Sequence, residues 1–251
     1  METTSAVYRG DCIEWLEAYD GAPIKLIVTD PPYTLPSWSG GGFMDESKRD
    51  WINENEMDVD NLSRGYSIER FAELAERVQG GKINAYFFCN KLQIPDYFRA
   101  YVEQRKCKFD ILMWHKTNAM PTFHGKYLTD TEYILYFRNG GGCNPKSYDD
   151  AKTYWLADIN QADKKKWKHP TIKPLSIVRT LIRNSSEPGE LVADPFLGSG
   201  TTRVAAYIEG RSFVGCEMDE RWYGVQEERY QKECHGVEVI NDHTITQQTL
   251  F

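Results

Sequence analysis

Short runs of hydrophobic residues alternate along the chain with stretches whose apolar positions recur at helical spacing. The runs have the length of strands and are bounded by turn residues, which is typical of strands buried in a sheet. Because strands that alternate with helices pair beneath those helices, the pattern predicts an α/β fold. The expected strands cover residues 24–29, 83–89, 109–114, 132–137, 191–193 and 212–216.

The segments between these strands carry helix start and stop signals. Asp11 with Glu14 three residues later indicates a capped helix start. Further helices are expected over 68–78, which Gly80-Gly81 ends, over 177–182, entered through Pro174, and over about 219–234.

Two segments interrupt the alternation. Residues 34–66 are rich in Gly, Ser, Asp and Asn, and residues 138–168 run from a glycine-rich turn to a cluster of lysines. Long irregular stretches in a compact domain are usually lids, binding loops or disordered segments. We therefore expect both segments to be lids, binding loops or disordered segments rather than parts of the core.

The composition is that of an ordinary globular protein, with 41% hydrophobic and 27% charged residues among 251. Residues 1–10 lack a secretory signal pattern, and no run is long and apolar enough to span a bilayer. The six cysteines are scattered without a Cys-x-x-Cys pair, and the five histidines show no metal spacing. These features predict a cytoplasmic protein with neither a disulfide framework nor a metal site.

The formal net charge of −7 is unfavourable for a nucleic-acid partner, because affinity for DNA depends on neutralising phosphates. The local distribution changes this picture. Lys164, Lys165, Lys166 and Lys168 cluster with Asp163 as their acidic neighbour, and they are the expected DNA contacts. A solvated charged face would explain the cluster equally well.

The tetrapeptide Asp30-Pro31-Pro32-Tyr33 follows an expected buried strand, at the sheet edge where ligands bind in open α/β folds. A carboxylate and a backbone carbonyl can accept the two N–H bonds of an exocyclic base amine and free its lone pair for attack. Two prolines stiffen the turn and remove competing donors, and a tyrosine ring can stack on an extruded base. The alternative is a Pro-Pro turn after a core strand, with the aspartate as a local cap.

The segment 194–202, Asp-Pro-Phe-Leu-Gly-Ser-Gly-Thr-Thr, follows a second strand and forms a glycine turn into a helix. It lacks the third glycine of the dinucleotide fingerprint, and no Gly-Lys-Ser/Thr is present to make a P-loop. Glu217 ends the next strand, where an acidic residue can accept ribose hydroxyls. Glu217 could instead cap the helix that starts near Asp219.

A third segment, 169–174, reads His-Pro-Thr-Ile-Lys-Pro and enters the helix at 177–182. A lysine and a threonine at a helix entrance can hold a carboxylate. A helix-start turn with proline is an equally good explanation, and His169 suits packing or hydrogen bonding better than metal ligation.

Taken in order, these segments resemble the successive motifs of amino-group DNA methyltransferases, which use S-adenosylmethionine (AdoMet). The catalytic motif precedes the glycine motif, as in the circularly permuted beta group of that family. The resemblance implies a Rossmann-like methyltransferase fold with a mixed, mostly parallel sheet and helices on both faces. The segments that carry it are 10–12, 30–33, 84–90, 114–116, 169–174, 194–202 and Glu217.

The resemblance also implies roles for single residues. Asp30 and the carbonyl near Pro31 would hold the target amine within the Asp30-Pro31-Pro32-Tyr33 motif, and Tyr33 would stack on the base. Glu217 would bind the AdoMet ribose, and Asp11 and Phe196 would contact its adenine. Asp194 and Lys173 would contact the methionine end. The turn around the cofactor would be formed by Gly198, Ser199, Gly200 and Thr201.

The resemblance favours adenine N6 as the target over cytosine N4, because family members acting on cytosine more often have serine at position 30. Methylation of RNA or of a protein amide is a further alternative, although those enzymes usually have the reverse motif order. A non-enzymatic DNA-binding protein would not need all of these motifs. We expect a single domain with a catalytic half at 1–137, recognition insertions at 34–66 and 138–168, a cofactor half at 167–234 and a tail at 235–251.

The last residues suggest a partner. Gln247, Leu250 and Phe251 resemble the short peptide by which bacterial proteins dock on the replication sliding clamp, where a Leu-Phe pair fills an apolar pocket. A frayed terminus or local packing of Phe251 is the alternative. The expected setting is a bacterial or phage-encoded enzyme acting on double-stranded DNA.

Overall fold

The computed structural model describes residues 3–32, 66–119, 127–159, 161–240 and 243–246. Within these residues the chain forms one eight-stranded sheet and a small antiparallel hairpin. The strands of the sheet are β1 Ser5–Arg9, β2 Leu26–Thr29, β3 Ile83–Cys89, β4 Lys108–Lys116, β5 Thr131–Asn139, β6 Tyr154–Ala157, β7 Leu191–Asp194 and β8 Ser212–Glu217. The hairpin consists of β9 Val237–Ile240 and β10 His243–Thr246.

The order of the strands across the sheet is β1-β8-β7-β2-β3-β5-β4-β6. Strand β5 runs antiparallel to both of its neighbours, β3 and β4, and every other adjacent pair in the sheet is parallel. The predicted α/β fold with a mixed, mostly parallel sheet is therefore confirmed.

Helices cover both faces of this sheet. One face packs against α1, α2 and α3, and the opposite face against α5 and α6. Strands β2 and β3 are buried along their whole length because both faces are covered, which explains their continuous apolar runs. The helices are α1 Cys12–Ala18, α2 Ile68–Val78, α3 Ile94–Tyr97, α4 Gln161–Trp167, α5 Leu175–Ser185, α6 Thr201–Ile208 and α7 Glu220–His235, and a π-helical turn, Phe98–Gln104, extends α3.

The order in which the chain adds strands reverses between the parallel strands β2 and β7. From β2 the chain crosses through α2 to β3 on one side, and from β7 it crosses through α6 to β8 on the other. Ligands bind at such a switch point, outside the carboxyl ends of the strands. The Thr29 hydroxyl donates to the Asp194 carboxylate over 2.6 Å and links the two strand ends.

All six expected strands are present, and the expected helices begin at Asp11, Ser67, Pro174 and Asp219 as their N-caps. The prediction that 138–168 is irregular throughout was wrong. That segment contains β6, an edge strand paired with β4, and α4. The prediction for 34–66 falls outside the described residues except at Tyr66. Among the described residues, no helix is long and apolar enough to cross a membrane.

Gly200 is the N-cap of α6, and its backbone has a φ of +80°. A Cβ there would lie 2.9 Å from the Gln226 Cβ on α7, so Gly200 lets the two helices approach. We expect Gly200→Ala to cost roughly 1–3 kcal/mol of unfolding free energy in urea. Gly236→Ala is the matched control, since Gly236 has a φ of +64° with no heavy atom within 4 Å of its Cβ position. Equal losses in the two variants would contradict a packing role for Gly200.

Candidate active site

A cavity of about 660 Å³ opens at the switch point of the sheet. Its volume lies within the roughly 300–1,000 Å³ typical of small-molecule sites. It brings together predicted residues that are far apart in the sequence, namely Asp11, Asp30, Pro31, Pro32, Lys173, Asp194, Phe196, Gly198, Ser199, Thr201 and Glu217. Tyr33 lies outside the described residues.

Asp30 follows β2 and forms a buried ion pair with Lys173. The Lys173 Nζ lies 2.7 Å from Asp30 Oδ2 and 2.6 Å from Glu132 Oε1. Burial alone would lower the pKa of Lys173, but the carboxylates of Asp30 and Glu132 raise it above its ordinary value. The lysine is therefore charged at neutral pH and sits beside the expected catalytic carboxylate.

Glu132 and Lys116 extend this ion pair, although the sequence analysis assigned a role to neither residue. Glu132 begins the buried part of β5, and its Oε2 lies 2.8 Å from the Lys116 Nζ on β4. Burial would raise the pKa of Glu132, but the ammonium groups of Lys173 and Lys116 hold it well below its usual range. An acidic residue at the start of an otherwise apolar strand was the available signal.

Glu217 ends β8 and holds the glycine turn in place. Its Oε2 accepts from the Gly198 N–H at 2.7 Å, and its Oε1 accepts from the Asp219 N–H at 2.8 Å. Burial raises the pKa of Glu217 to about 7. The cap of α7 is Asp219, which accepts from the Trp222 N–H at 3.0 Å. Each oxygen of Glu217 still has a lone pair for a ligand in the cavity.

Asp194 ends β7, directly across the switch point from Asp30. Its Oδ1 accepts from the Thr29 hydroxyl at 2.6 Å and from the Phe196 N–H at 3.1 Å. Burial raises the pKa of Asp194 to about 6 in spite of these hydrogen bonds. The site thus contains two carboxylates, Asp194 and Glu217, that burial makes weaker acids.

The two glycines of the turn have different surroundings. Gly198 has a φ of +51° and lines the cavity, and a Cβ there would lie 2.9 Å from the His169 Nε2. Gly200 packs against Gln226 on α7 instead. Helix packing therefore explains the second glycine, whereas the cofactor role expected for Gly200 stays a prediction.

Asp11 and Phe196 flank one end of the cavity. The Asp11 Oδ1 accepts from the N–H groups of Ile13 and Glu14 at 2.8 and 3.1 Å, so the expected helix cap is confirmed. The Phe196 ring packs edge-on against Tyr66 with centroids 5.2 Å apart. Tyr66 also lines the cavity and was not expected there, because it lies next to a polar segment without strand or helix signals.

Comparison with known proteins shows the family to which the chain belongs. The family model for DNA methylases that act on N6 and N4 amino groups matches residues 24–227. The chain belongs to this DNA methylase family. It is a DNA methyltransferase that uses AdoMet as its methyl donor.

Similar proteins cover most of the chain. The Type II methyltransferase M2.LlaDCHI of Lactococcus lactis subsp. cremoris is 29% identical over 248 residues, covering 89% of this chain and 88% of that protein. M2.MboI of Moraxella bovis is 26% identical over 247 residues, covering 90% and 87%. Among solved structures, the M1.HpyAVI–SAM complex has a TM-score of 0.66 at 22% identity, covering 90% of this chain and 100% of that one. The cytosine-N4-specific PvuII methyltransferase has a TM-score of 0.64 at 17% identity, covering 90% and 86%.

The carboxylates and aromatic rings that line the cavity of this methyltransferase suit AdoMet as a ligand. When bound, AdoMet supplies an electrophilic methyl group on a sulfonium centre and carries a further positive charge on its amino group. Carboxylates suit such a cation, and an aromatic corner suits its adenine ring. The cavity offers the carboxylates of Asp11, Glu14, Asp30, Asp194 and Glu217 and the rings of Tyr66 and Phe196.

The four lysines expected to contact DNA face in different directions. Lys166 on α4 pairs with Glu233 at 3.1 Å and lies 4.5 Å from the centre of the Trp167 ring. Lys164 is half-buried, and burial together with the charges of Lys116 and Lys173 lowers its pKa. Lys165 and Lys168 are exposed. The cluster is therefore divided, with Lys164 on the side of the Asp30–Lys173 ion pair and Lys166 on the side of α7.

Asp194→Asn is expected to stabilise the ligand-free methyltransferase at about pH 7.5 and to have a much smaller effect near pH 4. The folded pKa of about 6 exceeds the ordinary value of 3.8, so folding buries an anion above pH 6, and both states are protonated below 3.8. The gain should be about 2 kcal/mol in urea unfolding at the higher pH. Asn keeps the acceptor oxygen for Thr29 and Phe196.

Asp96→Asn is the matched control for Asp194→Asn, since Asp96 forms an exposed pair with Arg99. The control should show no comparable gain as pH rises. A destabilisation by Asp194→Asn of equal size at both pH values would contradict the argument from buried charge.

Proposed function

We propose that this DNA methyltransferase transfers the methyl group to the exocyclic N6 amine of adenine in double-stranded DNA. The observation that carries the proposal is the Asp30 carboxylate, which Lys173 holds at 2.7 Å within the cavity at the switch point. The amine of a stacked base cannot reach a carboxylate in such a cavity. The target adenine must therefore leave the helix, at a cost of a few kcal/mol that contacts to DNA offset.

Asp30 would accept one N–H of the target amine, and the Pro31 carbonyl would accept the other. An ionised carboxylate has about four lone-pair sites, so Asp30 can bind Lys173 and the amine together. The carbonyl of Pro32 is already engaged, since the buried Gln93 donates to it from Nε2 at 2.9 Å. This contact fixes the turn and supports Pro31 as the acceptor. With both N–H groups held as hydrogen-bond donors, the nitrogen lone pair would no longer be delocalised into the ring. It could then attack the methyl group.

Adenine is favoured over cytosine by the identity of residue 30. Family members that act on cytosine N4 more often have serine there, and this chain has aspartate. The fold does not discriminate between the two bases, because the cytosine-N4-specific PvuII enzyme is also similar to it. The base found in the methylated product distinguishes the two.

The cofactor would lie between the glycine turn and Asp11. Glu217 would accept the ribose hydroxyls, Asp11 and Phe196 would contact the adenine, and Asp194 would face the amino group of the methionine end. Ser199 and Thr201 would contribute from the turn. Lys173 also lines the cavity, but its ammonium lies between Asp30 and Glu132. This geometry favours a role for Lys173 beside the target amine over the contact with the methionine carboxylate that the family resemblance suggested.

Clamp docking through Gln247, Leu250 and Phe251 stays a prediction, since these residues lie outside the described part of the chain. The same holds for base stacking by Tyr33.

Asp30→Asn is expected to lower kcat for methyl transfer to duplex DNA by about 100-fold or more, because the amide is a weaker acceptor and cannot pair with Lys173. AdoMet affinity, measured by calorimetry, should stay within about threefold of wild type. Mass spectrometry of the digested product should show N6-methyladenine from the unmodified enzyme.

Asp20→Asn is the control for Asp30→Asn, since Asp20 is exposed in the loop after α1. The control should leave kcat unchanged. Wild-type turnover by Asp30→Asn would remove Asp30 from the mechanism, and N4-methylcytosine as the product would overturn the adenine assignment.

Lys164→Ala is expected to weaken DNA binding and to reduce the slope of log K against log salt by about 0.9, the value for one phosphate contact. Lys166→Ala should change the slope much less, because Lys166 is already paired with Glu233. Fluorescence anisotropy at several salt concentrations measures both. Equal slopes for Lys164→Ala and the unmodified protein would exclude a phosphate contact at Lys164.

A further inference from the structure

Four buried or half-buried charges of alternating sign form a row that ends at the Asp30 carboxylate. Lys116 lies 2.8 Å from Glu132, Glu132 lies 2.6 Å from Lys173, and Lys173 lies 2.7 Å from Asp30. Their side chains are 18%, 10%, 8% and 22% exposed, in that order along the row. Each charge therefore sits where water screens it poorly and where its neighbours determine its energy.

The row joins four elements that are distant in the sequence. Lys116 is the last residue of β4, Glu132 lies on β5, Lys173 precedes α5, and Asp30 follows β2. The register of the sheet places Lys116 near Glu132, since Trp114 is the partner of Glu132 and His115 the partner of Thr131. The antiparallel strand β5 thus brings a carboxylate to the edge of the sheet where the parallel strands place Asp30.

Glu132 has no place in the scheme for holding the target amine, yet its Oε1 lies 2.6 Å from the Lys173 Nζ. A lysine buried beside a single carboxylate would direct its charge at that carboxylate and weaken it as an acceptor for other donors. A second carboxylate at nearly the same distance divides the charge. Asp30 then keeps more of its acceptor strength for the N–H of the base.

We propose that Glu132 is a positioning residue for methyl transfer, which shares the Lys173 ammonium with Asp30 and so keeps Asp30 able to accept the target amine. Glu132 acts through Lys173. Lys116 in turn holds the second oxygen of Glu132. The inference rests on the proposed role of Asp30, although it does not depend on which base is methylated.

Loss of Glu132 should change the ionisation of Lys173 as well as the rate. Lys173 would rely more heavily on Asp30 and would lose its proton at lower pH, because one of the two carboxylates that raise its pKa is gone. The titratable groups around Lys173 come from five neighbouring elements, and they are Asp30, Glu132, Lys116, Lys164, His169 and Cys89.

The test compares Glu132→Gln with Glu132→Asp in the full-length protein. In Glu132→Gln we expect kcat to fall by about tenfold or more, with AdoMet Kd and the KM for DNA within about threefold of wild type. The alkaline limb of the kcat profile should move to lower pH by about one unit. Glu132→Asp, which restores the charge, should move that limb back toward the wild-type position.

Two further measurements keep the proposal falsifiable. If Glu132→Gln folds poorly, the double variant Lys116→Met, Glu132→Gln removes one charge of each sign and should still show the rate loss. NMR of the ¹⁵N-labelled Lys173 Nζ, assigned with Lys173→Met, follows the lysine without any turnover. Its titration should also move to lower pH in Glu132→Gln.

The matched control is Glu187→Gln, which removes an exposed carboxylate paired with Lys146 at 3.0 Å and should leave kcat unchanged. The proposal is overturned if Glu132→Gln lowers only thermal stability and leaves kcat and the Lys173 titration at wild-type values. Failure of the adenine assignment would appear separately, as a different methylated base with the wild-type enzyme.

Discussion

The pairing of β2 with β7 is the interaction on which the site depends. These strands lie about 165 residues apart in the sequence, yet Leu26 pairs with Val192 and Ile27 with Ala193 in parallel register. The Thr29–Asp194 hydrogen bond links the two strand ends beyond the last ladder pair, one residue out of this register. Asp30 and the glycine turn consequently leave the sheet side by side. A one-residue slip would turn Thr29 toward the opposite face and separate the target side of the cavity from the cofactor side.

The cavity keeps carboxylates in an environment that disfavours their charge. Burial raises the pKa of Asp194 to about 6 and that of Glu217 to about 7, so the ligand-free protein carries an energetic cost near neutral pH. A cationic ligand would reduce this cost, because its positive charge stabilises the ionised carboxylates that burial destabilises. Asp30 lies in a different environment, because the Lys173 ammonium lies 2.7 Å from its carboxylate and balances a negative charge there. The two environments match the proposed division of labour, in which Asp194 and Glu217 bind the cofactor and Asp30, paired with Lys173, accepts the amine of the base.

The sequence was sufficient for the central strands, because β2, β3 and β7 are covered on both faces and read as continuous apolar runs. It was not sufficient for β1 and β6. These strands lie at the two edges of the sheet and are largely exposed, so they lack a hydrophobic signature. Motif spacing likewise found Asp30 and Glu217, whose neighbours along the chain are informative. Glu132 was not singled out, because its contact with Lys173 depends on the cross-strand register, which the sequence alone does not show.

The unfavourable net charge of −7 is reconciled with a DNA substrate by the way charges are distributed around the site. Asp11, Asp194 and Glu217 line the cavity, where the proposed cationic cofactor rather than DNA phosphates would face them. On the target side, Lys116, Lys164 and Lys173 lie close enough to affect one another, since the charges of the other two lower the pKa of Lys164. Arg229 connects the two sides. It donates to the Thr201 hydroxyl in the glycine turn at 3.0 Å and to Glu233 at 3.0 Å, and Glu233 in turn holds Trp167 of α4. Helix α4, which carries Lys164, Lys165 and Lys166, is therefore linked through Glu233 to the arginine that contacts the glycine turn. These contacts connect the segment expected to bind DNA to the cofactor half of the sheet.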